Sequence, residues 1–120
     1  MSTAVVTGIG VAAPNGLGVE DYWAATLTGT SGIRPISRFD ASAYPVRLAG
    51  DVPDFNPGDH LPSRLTVQTD QWTHLGLAAA QLALDDAGVE PAELPEYEMA
   101  VVTASSSGGT EFGQREIQRV

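Results

Sequence analysis

The chain has 120 residues, 42% of them hydrophobic, with 13 Gly, 8 Pro and no Cys. That length allows one domain at most, and the apolar fraction argues against wholesale disorder. Fifteen acidic residues face six basic ones, all Arg (Arg34, Arg38, Arg47, Arg64, Arg115, Arg119), for a net charge of -9. Such a balance repels polyphosphate backbones and anionic lipid surfaces, so nucleic-acid binding and a polybasic membrane anchor are disfavoured. Without Cys these residues hold no disulfide, thiolate zinc site or cysteine nucleophile.

Met1-Ser2-Thr3 leads into Ala4-Val5-Val6 without a positively charged leader, and no apolar run approaches the ~20 residues of a membrane span. A cytoplasmic setting is expected. Val5 to Ala13 is nearly all apolar and ends at Pro14, the pattern of a strand covered on both faces. Asn15-Gly16-Leu17-Gly18 is turn chemistry. Glu20-Asp21 open a helix carrying Tyr22, Trp23 and Leu27, with acids at its positive end and Gly29 or Gly32 closing it. From Ile33 to Pro62 periodicity is lost, and Phe39, Tyr44, Leu48 and Phe55 anchor a long, packed-down loop.

A strong helix is predicted from Asp70 to Ala87, with Gly88 as its left-handed cap. Its stripe of Trp72, Leu75, Ala79, Leu82 and Ala83, widened by Leu77, Ala80 and Leu84, predicts burial on most sides. Pro91 to Pro95 is a short acidic connection. Met99 to Ala104 reads as a second buried strand, Ser105 to Gly109 as a turn, and Thr110 as the start of a helix. That last pattern reaches Gln118-Arg119-Val120 without a capping signal, and the chain is expected to be a fragment. The order is α/β. Two strands make no stable parallel sheet unaided, so these residues are expected to belong to a larger molecule.

Gly8-Ile9-Gly10 after an apolar run invites a dinucleotide-loop reading, but Pro14-Asn15-Gly16 breaks the chain where that loop needs a helix. Glycines admitting a close neighbour explain the pair better. Ser105-Ser106-Ser107-Gly108-Gly109 follows the carboxyl end of a predicted strand, where α/β sheets place ligands and backbone N–H groups can hold an anion. No base at useful spacing accompanies those serines, and a tight turn beside a binding surface is the simpler reading. His60 and His74 lack the further ligands of a metal site, and Glu90, Glu93, Glu96 and Glu98 read as a solvated face.

The opening Val5 to Gly18 followed by Tyr22-Trp23, then Ile36-Ser37-Arg38-Phe39-Asp40 and Leu48-Ala49-Gly50, resembles the β-ketoacyl synthases, condensing enzymes of the thiolase fold. Gln68-Thr69-Asp70, Tyr97 to Ala104 running into Gly108-Gly109, and Phe112-Gly113-Gln114-Arg115-Glu116 are most similar to the chain-length factor group. These are the β subunits of type II polyketide ketosynthases, whose catalytic α partner usually has a basic, Met-Asp-containing segment at the position of Gln68-Thr69-Asp70.

The resemblance implies the N-terminal part of a layered α/β/α/β/α thiolase-like fold, with residues 1–120 as roughly its first third. It implies no cofactor and no metal. The family's catalytic Cys and two His would lie beyond residue 120, so no catalytic residue is carried over; in chain-length factors that Cys is commonly Gln. In that family the helix after the second strand lines the growing chain's tunnel at the subunit interface, and the resemblance makes Thr110, Gly113 and Ile117 the matching positions here. Spaced i, i+3 and i+7, they share one helical face.

A hydroxyl, a bare backbone and one aliphatic make a shallow wall, so a product longer than an octaketide is expected. The implied partners are a ketosynthase α subunit, in a heterodimer, and an acyl carrier protein. The carrier is itself acidic, which favours docking mainly on the α subunit. Two further readings stand beside this one: a condensing β-ketoacyl synthase of polyketide or fatty-acid synthesis, and a nucleotide-binding α/β module.

Overall fold

The computed structural model describes residues 3–119. Met1, Ser2 and Val120, which bear on the leader and on the open end of the last helix, lie outside them. Residues 3–11 run extended. β1 (Ala12–Ala13) then folds back on β2 (Gly16–Leu17), Ala12 opposite Leu17 and Ala13 opposite Gly16, around a two-residue Pro14-Asn15 turn. α1 (Val19–Leu27) follows, with Glu20 and Asp21 in its first turn and Gly29 just past its end at φ 67°.

The long loop makes one small ladder, β3 (Arg34–Pro35) antiparallel to β4 (Leu48–Ala49). The Arg34 guanidinium ties that ladder to the hairpin by donating to the Pro14 carbonyl at 2.6 Å. Ala41 and Phe55 are the loop's buried anchors, and Phe55 stacks on His60 with ring centroids 5.3 Å apart. Phe39, Tyr44 and Leu48 stay more than half exposed, so the loop packs down at fewer points than expected.

Three more helices complete the described chain: α2 (Ser63–Gln68), α3 (Gln71–Ala87) and α4 (Thr110–Gln118). α3 is fixed by its own ends. The Asp70 carboxylate accepts the Thr73 N–H at 3.3 Å as an N-cap. Gly88 sits in the left-handed region, and the N–H groups of Gly88 and Val89 return to the Asp85 and Leu84 carbonyls.

α3 lies directly on the extended segment 3–11. A Cβ at Gly10 would overlap the Ala79 carbonyl, and one at Gly8 the Ala83 carbonyl. Asp86 also accepts the Ile9 N–H at 2.9 Å. The Gly8-Ile9-Gly10 pair thus serves close approach. The chain turns at Pro14-Asn15 where a dinucleotide loop would start its helix.

The α/β class is as expected, but two elements differ from their sequence reading. Of the strands predicted over Val5–Ala13 and Met99–Ala104, only Ala12–Ala13 enters a ladder. Apolar pattern makes a segment extended, yet a strand also needs a neighbour to receive its N–H and C=O groups. Val6 and Val102 accordingly remain 79% and 93% exposed. α3, expected to be buried on most sides, buries only His74 and Ala78 and leaves Trp72 and Leu77 half-exposed.

The same openness marks the whole chain. Its radius of gyration is 17.1 Å, against about 14 Å for a compact chain of this length. Its accessible surface of 9367 Å² exceeds the roughly 6,200 Å² of a folded monomer of this mass. These apolar faces are built to be covered.

Candidate functional site

α4 begins where the backbone reverses at Gly109, with φ 72° and ψ 0°. No side chain caps it, but Glu111 in the first turn and Arg115 in the last suit the helix dipole. Glu111 carries most of the local polar contacts. One carboxylate oxygen accepts from Arg38 of the long loop at 3.0 Å, and the other pairs with Arg115 one turn on. Glu116 and Arg119 add an exposed pair at 2.8 Å.

Thr110, Gly113 and Ile117 all fall within this helix and so share one face, as their spacing predicts. Thr110 is exposed and Ile117 is 78% exposed, while Gly113 is half-buried with open space where a Cβ would stand. Close packing of another described element is therefore not what Gly113 accommodates. Thr110 also borders a cavity of about 320 Å³ shared with Arg38, Asp51, Trp72, Leu75 and Gly108.

The serine-rich turn is tied down rather than poised to react. Ser105 Oγ accepts the Trp72 indole N–H at 3.0 Å and the Ser107 N–H at 3.3 Å, and donates to the Ser107 carbonyl at 3.0 Å. Gly108 lies against the indole, where a Cβ would fall onto the ring. Among the described residues no group of three or more His, Asp or Glu could hold a metal ion.

His60 is a stacking partner of Phe55, and His74 is buried with its Nε2 unpaired among the described residues. Glu90 caps the turn at Pro91–Glu93, and Glu93, Glu96 and Glu98 are exposed, as a solvated face should be. In the loop, the Ser42 backbone N–H at 2.9 Å, with help from its hydroxyl, holds the Asp40 carboxyl below its usual range. No helix among the described residues is long and apolar enough to cross a membrane.

Two extended apolar segments, a helix lying on the first and a Gly-Gly entry into α4 suit part of an α/β domain, and comparison with known proteins identifies which. Residues 1–119 match the β-ketoacyl synthase N-terminal domain, and the chain belongs to that family. It is 56% identical over 116 residues to the tetracenomycin polyketide synthase ketoacyl synthase beta subunit of Streptomyces glaucescens, covering 97% of this chain and 28% of that protein. A more distant relative, 3-oxoacyl-(acyl-carrier-protein) synthase 2 of Coxiella burnetii, is 39% identical over 105 residues, covering 88% of this chain and 25% of the relative.

Among solved structures, the ishigamide ketosynthase/chain length factor superposes with a TM-score of 0.69 at 40% identity. That match covers 77% of this chain and 23% of the other. The chain thus spans between a quarter and a third of the length of the curated relatives it matches.

Trp72, Arg38 and Glu111 were not singled out by the sequence as site residues. Their contacts bridge 33 and 73 positions, and no local pattern announces such pairs.

Proposed function

We propose that this chain is the N-terminal portion of a chain-length factor, the β subunit of a type II polyketide ketosynthase. In this reading it pairs with a catalytic α subunit in the cytoplasm. The two shape a tunnel in which a poly-β-ketone, carried on an acyl carrier protein, grows from malonyl units by decarboxylative condensation. The observation that carries the reading is α4. Its Thr110–Gly113–Ile117 face is left open by every described element of its own chain, in a sequence whose relatives include a polyketide ketoacyl synthase beta subunit.

Such a face serves as wall rather than reagent. Dense interiors recover little volume once a bulky side chain fills it, and the small residues here leave room for further two-carbon units. The expected product is longer than an octaketide. Thr110→Phe and Ile117→Phe, introduced into the full subunit paired with its α partner, are expected to shorten the product as sized by mass spectrometry. Unchanged length in both variants contradicts the reading.

A second reading, a subunit that condenses on its own, draws on the similarity to a 3-oxoacyl-(acyl-carrier-protein) synthase. It requires a cysteine nucleophile outside these residues. A stable acyl adduct on this subunit, seen in the intact mass after incubation with acyl donor, would favour it.

A further inference from the structure

We propose that Trp72 and Arg38 are positioning residues that seat α4, and so set the depth of the wall made by Thr110, Gly113 and Ile117. The inference rests on the chain-length reading above and deepens it. α4 has no side-chain N-cap and buries none of its residues, so nothing within the helix fixes where it starts. Its seat must come from outside, and two contacts supply it.

The first is the indole of Trp72. It sits in the first turn of α3, a helix whose own start is held by the Asp70 cap. Its N–H reaches Ser105 at 3.0 Å, and its ring occupies the space beside Gly108 that any side chain would need. Ser105 Oγ in turn holds both the N–H and the carbonyl of Ser107, two residues before Gly109. A shift of the indole moves the point at which α4 begins.

The second contact is Arg38, which reaches from the long loop to Glu111 at 3.0 Å, while Arg115 braces the other oxygen of the same carboxylate. Glu111 directly follows Thr110. The two contacts therefore hold α4's first turn from either side: one through the backbone before it, one through a side chain within it.

Loss of either contact lets the first turn shift, and the wall then sets several product lengths instead of one. The test uses the full subunit with its α partner, sizing products by mass spectrometry. Trp72→Phe keeps an aromatic side chain but removes the N–H and part of the ring system beside Gly108. The ratio of main product to its two-carbon neighbours is expected to fall about fivefold, the scale of one hydrogen bond.

Ser105→Ala removes the acceptor together with the hold on Ser107 and should lower the ratio at least as far, and the double variant should fall short of the sum of the two, as coupled partners require. Arg38→Met should lower the ratio about twofold, as an exposed ion pair warrants, and Arg38→Lys should restore it. A merely structural defect lowers total yield and leaves the ratio alone.

Ile117→Phe, run in parallel, separates the two claims. If it shortens the product while Trp72→Phe and Ser105→Ala leave the distribution sharp, the positioning role is overturned and the wall stands. If no variant changes the products, both fall. Ser105→Ala, a small change at an exposed turn, keeps the test open should Trp72→Phe fail to assemble.

Discussion

α3 and α4 are both amphipathic helices, and they are secured in opposite ways. α3 is held at both ends and along its length: a carboxylate cap at Asp70, a left-handed Gly88, and a backbone approach to Gly8 and Gly10 so close that neither tolerates a Cβ. α4 is held by side chains: one indole hydrogen bond and one exposed ion pair, with no buried residue of its own. The first design yields a rigid support. The second leaves a helix whose seat can be adjusted by a few substitutions without disturbing the support, a useful property for a wall that sets product size.

The comparison breaks most sharply at the α3 contact. Gly10→Ala puts a methyl into the Ala79 carbonyl and is expected to cost about 1–3 kcal/mol, as overpacking does. The midpoint of urea unfolding of the full subunit checks it; an unchanged midpoint means α3 does not sit this close. Asp70→Ala comes next, at about 1 kcal/mol for the lost cap, read in the same way.

The smallest effect concerns the loop that presents Arg38. The Asp40 carboxyl, held low by the Ser42 N–H, steadies the turn at residues 40–42. Because its folded pKa is lowered, that contribution is present above the ordinary carboxylate range and is lost as pH falls through the lowered value. The Ser42 amide resonance should titrate there, and Asp40→Asn should abolish the titration.

What the sequence made legible follows the same division. α1, α3 and α4 and the Gly88 cap could be read because their signals are local: acids in a first turn, a three-four apolar spacing, a glycine at the end. The two apolar segments were legible as extended backbone but not as strands. Val6 and Val102 stand exposed because a ladder needs partners that these residues do not provide. α2 went unread because it is short, starts after Pro62 and has no acid in its first turn.

At the candidate site, the shared face of Thr110, Gly113 and Ile117 came from spacing alone. The Trp72–Ser105 and Arg38–Glu111 contacts came only from the fold, which brings together residues far apart in sequence.

The central claim is that the open face of α4 sets how long a chain can grow, and a graded series at Ile117 tests it most directly. With Ala, Ile and Phe at this position of the full paired subunit, the principal product measured by mass spectrometry should shorten stepwise as side-chain volume rises. A principal product of one length across all three contradicts the account.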